Sequence, residues 1–109
     1  MATTYKVLGQ SAPLATTNTD IYIVPAATQA VVSSITVCNR TAVAKTFRIA
    51  IRPAAATLAN QHYIAYDVTL ANNDTTILTI GVTLSATDVV TVYASTADLS
   101  FNIFGSEIS

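Results

Sequence analysis

The sequence predicts an all-β protein, an antiparallel β-sandwich of about eight strands that forms a single domain over residues 1–109. β-Branched and aromatic residues dominate the apolar runs, and several runs alternate apolar and polar residues with a period of two. Breaks rich in Pro, Asn, Asp, Ser and Thr separate these runs at regular intervals. A chain of 109 residues is long enough for one hydrophobic core, and no linker or change of composition divides it.

Eight segments have the length and composition of strands. In chain order they are YKVLGQ (5–10), DIYIVP (20–25), AVVSSITVCN (30–39), TFRIAIR (46–52), HYIAYDVTL (62–70), TTILTIGVTL (75–84), DVVTVYA (88–94) and DLSFNIF (98–104). Only PAAATLAN (53–60) could hold a helical turn. Strands at this spacing are typical of a sandwich, either jelly-roll-like or immunoglobulin-like, and the pattern leaves that choice open.

The alternation also predicts which side chains face the core. These are Val31, Ile35, Val37, Phe47, Ile49, Ile51, Val90, Val92, Leu99, Phe101 and Ile103. In the fifth segment Tyr63 and Tyr66 are separated by an odd number of positions, so a regular strand would point them to opposite faces. One of them would then line the core, and the other would reach solvent or a partner.

Charge is the most unusual feature of the composition. Asp, Glu, Lys and Arg make up 10% of the chain, against roughly 25% in an ordinary soluble domain. The net charge of −1 gives no global attraction to nucleic acid or to an anionic membrane, and no run is apolar and long enough to span a bilayer. The surface must be covered by small neutral groups, many of them Thr, and such a surface is poorly protected against self-association. We therefore expect a homo-oligomer.

Candidate catalytic and metal-binding residues are few, so we predict that the protein is not an enzyme and binds neither a cofactor nor a metal ion. There is one Cys and one His, and nothing in the sequence orients or activates a Cys38–His62 pair. Ligands for a transition metal are too scattered, and a Gly-rich phosphate loop is absent. Four acids, Asp20, Asp74, Asp88 and Asp98, each precede an apolar strand, where we expect them to close turns. The N-terminal residues lack the apolar region of a secretion signal, so we expect synthesis in the cytoplasm.

Four of the five basic residues lie between Cys38 and Pro53. Arg48 and Arg52 are four positions apart on one predicted strand, so they leave the same face about 13 Å apart. Asp67 is a candidate ion-pair partner for either, or simply an exposed acid. Protection of a sheet edge, contact with nucleic acid and docking onto a protein surface all remain open. The candidate protein-interface residues are Arg40, Lys45, Arg48, Arg52, Asp67 and Tyr66.

Three stretches carry a resemblance to a known group of proteins. VPAATQAVVSSITVCNRT (24–41), TFRIAIRPAAATLANQHYIAYD (46–67) and LSATDVVTVYAST with FNIFGSEI (84–96 and 101–108) resemble small virion proteins of tailed bacteriophages. The resemblance covers nearly the whole chain and brings no residue-level binding motif with it. It implies a structural role in the virion, commonly as a trimer in capsid decoration.

Together, the resemblance and the composition predict a capsid cement or decoration protein in the virion. Its partners would be its own copies and other virion proteins such as the major capsid protein, with no nucleic acid or membrane. A neck, tail or fibre component is the alternative. A small carbohydrate-binding β module that uses exposed Tyr residues is an alternative of another class.

Overall fold

A computed structural model describes residues 2–109, and it contains nine strands and two short 3₁₀ turns. The strands are β1 (Thr3–Ser11), β2 (Thr19–Ile23), β3 (Gln29–Asn39), β4 (Lys45–Arg52), β5 (Tyr63–Leu70), β6 (Thr75–Leu78), β7 (Val82–Leu84), β8 (Val89–Ala94) and β9 (Leu99–Ile108). The turns are Pro53–Ala55 and Asn60–His62, both between β4 and β5, where the sequence allowed a helical turn. No helix in this part of the chain is long and apolar enough to cross a membrane.

The strands form two antiparallel sheets, which confirms the predicted β-sandwich. One sheet has the order β1-β9-β3-β6, with β7 also paired to β3, and the other has the order β2-β8-β4-β5. The first strand therefore pairs with the last, β2 with β8, β3 with β6 and β7, and β4 with β5. The chain is thus a long antiparallel hairpin that is rolled into two layers. This strand order is that of a jelly roll, so the structure decides the choice that the sequence left open.

The core lies between the two sheets and is formed by aliphatic residues and two phenylalanines. Phe47 of β4 and Phe101 of β9 meet edge to face, with ring centroids 6.2 Å apart. The predicted inward residues of β8 and β9 are all fully buried, as are Ile35, Val37 and Ile49. Ile51 is only partly buried, because it lies near the end of β4. Period-two alternation therefore identified most of the core.

The prediction that Val31 faces the core is wrong, and a β-bulge is the reason. In the pairing of β3 with β9 the register shifts between Val32 and Ser34, so Ser33 is an extra residue. The shift reverses the alternation on its N-terminal side. Ala30 and Val32 are consequently buried, and Val31 lies on the outer face.

The sequence predicted one strand where the structure has β6 and β7. Residues 79–81 interrupt the predicted segment 75–84, and the two halves pair with different parts of β3. The interruption lies opposite the bulge at Ser33, where the ladder of β3 is already displaced. Nine strands therefore replace about eight without a change of architecture.

A buried polar side chain connects two loops at one end of the sandwich. Asn39 is 2% exposed, and its Nδ2 donates to the carbonyls of Val43, Leu70 and Ala71 at 2.9, 3.2 and 3.1 Å. Its Oδ1 accepts from the backbone of Thr41 at 3.0 Å. The side chain therefore joins the loop after β3 to the loop after β5.

The predicted role of four acids in closing turns is confirmed for Asp88 and Asp98. Asp88 accepts from the backbone of Ser85 and Ala54, whereas the carboxylate of Asp74 accepts from the adjacent Thr75, a contact that closes no turn. Asp98 accepts from the hydroxyl of Thr96. The prediction is wrong for Asp20, because its carboxylate pairs with an arginine of the same sheet.

A hydrogen-bonded triad joins the two sheets at the opposite end from Asn39. The phenol of Tyr22, on β2, donates to Glu107 of β9, which also pairs with Lys6 of β1 at 2.9 Å. Burial raises the pKa of Tyr22 well above its ordinary value, and the hydrogen bond to Glu107 adds to this effect. The same hydrogen bond, followed by the one from Lys6, lowers the pKa of Glu107.

Candidate interaction faces

Most of the predicted interface residues lie on the outer face of the four-stranded sheet. β4 is an interior strand between β8 and β5, and it directs Arg48 and Arg52 outward. β5 contributes Tyr66 and Asp67 from the edge of the same sheet. Arg40 and Lys45 lie farther away, at the two sides of the loop between β3 and β4. The structure therefore brings four of the six predicted residues onto one face.

Arg48 is the centre of a tyrosine–arginine cluster, which we define as Arg48, Tyr63, Tyr66, Asp67 and Tyr93. Its guanidinium carbon lies 4.3 Å from the ring centroid of Tyr66 and 4.2 Å from that of Tyr93. Asp67 holds the same guanidinium through Nε at 2.6 Å and Nη2 at 3.3 Å. The hydrogen bond that Arg48 donates to Asp67 raises the pKa of Arg48 further above its ordinary value. Two aromatic rings and one carboxylate therefore fix the orientation of this side chain.

The structure corrects the prediction that Tyr63 and Tyr66 point to opposite faces. Their rings meet edge to face at a centroid distance of 4.9 Å and an interplanar angle of 82°. Two register shifts in the β4–β5 ladder break the regular alternation, and Asp67 takes the left-handed conformation with φ of 48°. Neither ring lines the core, since Tyr63 is half-buried and Tyr66 is 56% exposed.

Arg52 is bound within the chain as well. Its Nη2 lies 3.0 Å from Oδ1 of Asp20, and its Nε donates to the hydroxyl of Thr91 at 3.0 Å. Its Nη1 donates to the carbonyl of Ala56, which ties the β4–β5 loop to the sheet. The positive charges of both strand arginines are therefore balanced by carboxylates of the same face.

Arg40 and Lys45 remain without an ion pair within residues 2–109. Arg40 is exposed and its guanidinium donates to the carbonyl of Ala97 at 2.7 Å, while Lys45 is half-buried at the start of β4. The predicted Arg48–Asp67 pair is present inside one chain. The basic residues between Cys38 and Pro53 do not form one continuous positive surface, because the charges of Arg48 and Arg52 are paired and Arg40 lies beyond β4. The interface role of all six residues stays a prediction.

The opposite side of the sandwich presents a surface without charge, which we call the neutral face. It consists of the outward positions of the five-stranded sheet: Thr3, Tyr5, Val7, Gln10, Gln29, Val31, Ser33, Ser34, Thr36, Cys38, Thr75, Ile77, Thr83, Ser100, Asn102, Phe104, Ser106 and Ile108. None of the chain's five basic and six acidic residues lies among them. Lys6 and Glu107, on the same strands, have the inward orientation toward Tyr22.

The neutral face is also partly apolar. Tyr5 is 83% exposed and Ile77 is 63% exposed, and a hollow of about 480 Å³ between β1, β9 and β3 has Val7 and Phe104 in its walls, together with Lys6, whose ammonium group pairs with Glu107. Exposed aromatic and aliphatic side chains with little charge around them have the composition of the buried centre of a protein interface. Sequence analysis missed this surface, although the uncharged outward positions of three strands could have revealed it.

The residues considered for chemistry lie apart. Cys38 is on the neutral face, whereas His62 is buried beside the other sheet, where its Nδ1 accepts from the backbone of Ala59. Residues 2–109 hold no cluster of three His, Cys, Asp or Glu side chains that could bind a metal ion. The two outer faces are therefore the candidate sites that the geometry offers.

Comparisons with known proteins identify no relative of this chain. No family model matches the chain, and neither a curated protein nor a solved structure shows significant similarity to it. The resemblance to phage virion proteins accordingly stays a prediction.

Proposed function

We propose that this chain is a structural protein of a bacteriophage particle, in the role of a capsid cement or decoration protein. The observation that carries the proposal is the neutral face, which covers one whole side of a jelly roll. A protein surface that contacts only solvent ordinarily carries interspersed charges of both signs. In this protein the charged residues are excluded from one side of the sandwich only. Jelly rolls are a common architecture of viral capsid proteins. The sequence resemblance to small virion proteins points in the same direction.

The neutral face suits contact between copies of the chain. In a symmetric oligomer, including a trimer, charges near the symmetry axis face their own copies and repel, and an uncharged surface avoids this cost. The molecule measures 45 × 27 × 20 Å. A side of 45 × 27 Å leaves room for the roughly 800 Å² per partner that a stable interface buries. The oligomer, expected to be a trimer, would then bind the shell through other surfaces, with the unpaired Arg40 and Lys45 as candidate contacts.

The first test is the oligomeric mass in solution, measured by light scattering at low and high salt. We expect a trimer or larger oligomer that persists in salt, because an uncharged interface is not weakened by screening. Ile77→Glu, on the neutral face, should dissociate it. Ile23→Glu is the matched control, since Ile23 is 57% exposed on β2 of the other sheet. A wild-type monomer, or equal effects of the two variants, would contradict the assembly role.

The second test is the copy number in purified phage particles, measured by quantitative mass spectrometry. Hundreds of copies are expected for a cement protein, and particles that lack the chain should lose resistance to heat. A dozen copies or fewer would place the chain in the neck, tail or fibres instead. Its absence from particles would overturn the virion proposal.

A further inference from the structure

We infer that the tyrosine–arginine cluster borders a binding site for a neutral saccharide, in a hollow formed by Asn60, Tyr63 and Tyr66. The hollow has a volume of about 380 Å³ and lies on the outer face of the four-stranded sheet. Small-ligand sites span roughly 300–1,000 Å³, so this one has room for a single sugar ring or the end of a glycan. The site lies opposite the neutral face, and it does not depend on the proposed virion role.

The aromatic wall of the hollow is held in place before any ligand binds. Tyr63 and Tyr66 share one face only because β5 is bulged, and Asp67 keeps a left-handed φ of 48° at that point. Such a conformation costs a non-glycine residue about 1 kcal/mol or more, and it persists only where neighbouring contacts maintain it. Arg48 supplies those contacts by holding Asp67 and lying 4.3 Å from the Tyr66 ring. A fixed ring loses little conformational entropy on binding.

The polar groups around the hollow are available to a ligand. The amide of Asn60 and the phenols of Tyr63 and Tyr66 form no hydrogen bond within residues 2–109, and no unpartnered side-chain polar atom there is buried. An amide offers two donors and an acceptor, and each phenol offers one donor and an acceptor. These groups match the hydroxyls of a sugar, which both donate and accept.

Charge decides between a saccharide and other ligands that stack on aromatic rings. The Arg48 charge is paired with Asp67 at 2.6 Å, so the site is close to neutral. Single-stranded nucleic acid would need an unpaired positive groove beside the rings to hold its phosphates. A pyranose ring needs none, since its C–H face packs on an aromatic ring and its hydroxyls point to the sides. A neutral sugar is thus compatible with the charge balance and with the Tyr66 ring, which is 56% exposed although Arg48 lies over it.

The experiment is a titration of the purified, isotope-labelled chain with the methyl glycosides of glucose, galactose, mannose and N-acetylglucosamine, followed by two-dimensional NMR. We expect at least one glycoside to shift the signals of Asn60, Tyr63 and Tyr66 in a saturable manner. Tyr66→Ala should weaken binding by about tenfold or more, equivalent to about 1.4 kcal/mol. Tyr66→Phe keeps the aromatic ring and should weaken binding less than Tyr66→Ala does. Tyr5→Ala, which removes an equally large exposed ring from the neutral face, should have no effect.

Several results would overturn the inference. These are the absence of saturable shifts with every glycoside up to tens of millimolar, binding that Tyr66→Ala leaves unchanged, and saturable binding of oligothymidylate at these residues. Should Tyr66→Ala fail to fold by circular dichroism, Asn60→Ala provides the same comparison, because Asn60 is exposed in the short turn before β5. Loss of this site would leave the oligomer test on the neutral face unaffected, so the two proposals fail separately.

Discussion

Asn39 shows how a single polar residue can organise one end of the sandwich. Four hydrogen bonds from one buried amide connect two loops that are distant in the sequence. A buried donor without a partner costs about 1–3 kcal/mol, so the identity of this residue matters more than its size. The sequence predicted only that Asn39 is the last residue of a strand. Its partners belong to the loop after β5, and alternation within one strand contains no information about them.

We predict that Asn39→Asp destabilises the protein by about 3 kcal/mol. The substitution keeps the acceptor oxygen but replaces the donor Nδ2 by a second oxygen, which would face the carbonyl oxygens that accept hydrogen bonds from Nδ2. Urea denaturation at neutral pH measures the change in the free energy of unfolding. The control is Asn72→Asp, which makes the same change in charge at an exposed turn position. Equal midpoints for the two variants would show that the buried amide contributes nothing.

The contacts of individual aromatic and charged residues of β4 and β5 could be predicted only in part from the sequence. The alternation of β4 correctly directed Arg48 and Arg52 outward, and proximity in the sheet made Asp67 a reasonable partner for Arg48. Tyr93 was missed in this role, because only the pairing of β4 with β8 places it beside Arg48. Cross-strand neighbours follow from strand order, which a pattern along one chain does not contain.

At the scale of strands, bulges decide which side chains the two faces present. The bulge at Ser33 moves Val31 to the neutral face, and the shifts in β5 bring Tyr63 and Tyr66 together. A single extra residue reverses the alternation for the remainder of a strand. Both errors of the sequence prediction in these strands have this cause. No residue in either bulge is Gly or Pro, so the local sequence carried no marker for them.

Close backbone contact between strands explains a glycine of β9. A Cβ at Gly105 would collide with the carbonyl oxygen of Val31, next to the bulge of β3. We predict that Gly105→Ala destabilises the protein by about 1–3 kcal/mol or more, because the β3–β9 ladder must shift to admit a methyl group. Thermal unfolding by calorimetry measures the effect. Gly81→Ala is the control, since a Cβ there has no atom within 4 Å. A wild-type melting temperature for Gly105→Ala would refute the close contact.

For the whole molecule, the triad of Tyr22, Glu107 and Lys6 couples the packing of the two sheets to pH. The pKa of Tyr22 is raised by folding, so the stability that its proton provides is complete below its ordinary value near 10 and is lost as pH rises above it. The pKa of Glu107 is lowered, so its contribution is complete above about 4.3 and is lost as pH falls.

We predict that Tyr22→Phe costs about 1.5–3 kcal/mol between pH 5 and 9, the usual contribution of a hydrogen bond to a charged group. The difference from wild type should shrink above about pH 10, where the phenol ionises first in the unfolded chain, and also below about pH 4.3, where Glu107 is protonated first in the unfolded chain. Urea denaturation of both proteins from acid to alkaline pH measures how the difference in the free energy of unfolding changes at each end of the range. Tyr5→Phe should show no difference at any of these values, because Tyr5 is 83% exposed on the neutral face. A difference that is constant from pH 4 to 11 would contradict the coupling.

The distribution of charge is also a property of the whole molecule. The sequence revealed that charge is scarce, and this supported the expectation of self-association. It did not reveal that one face has none, while the other holds two ion pairs. Charges from separate strands gather on one face only after the hairpin is rolled into a jelly roll. The neutral face and the tyrosine–arginine cluster are consequences of that rolling.

By itself, the sequence determined the fold class, most of the core and the scarcity of charge. These properties follow from composition and from period-two alternation, which are local along the chain. Only the tertiary structure decided the jelly-roll strand order, the bulges, the arginine partners and the segregation of charge to one side. Each of these depends on contacts between residues far apart in sequence, such as Arg48 with Tyr93 and Arg52 with Asp20. Local patterns specify how a strand can be buried, but the packing of two sheets selects its neighbours.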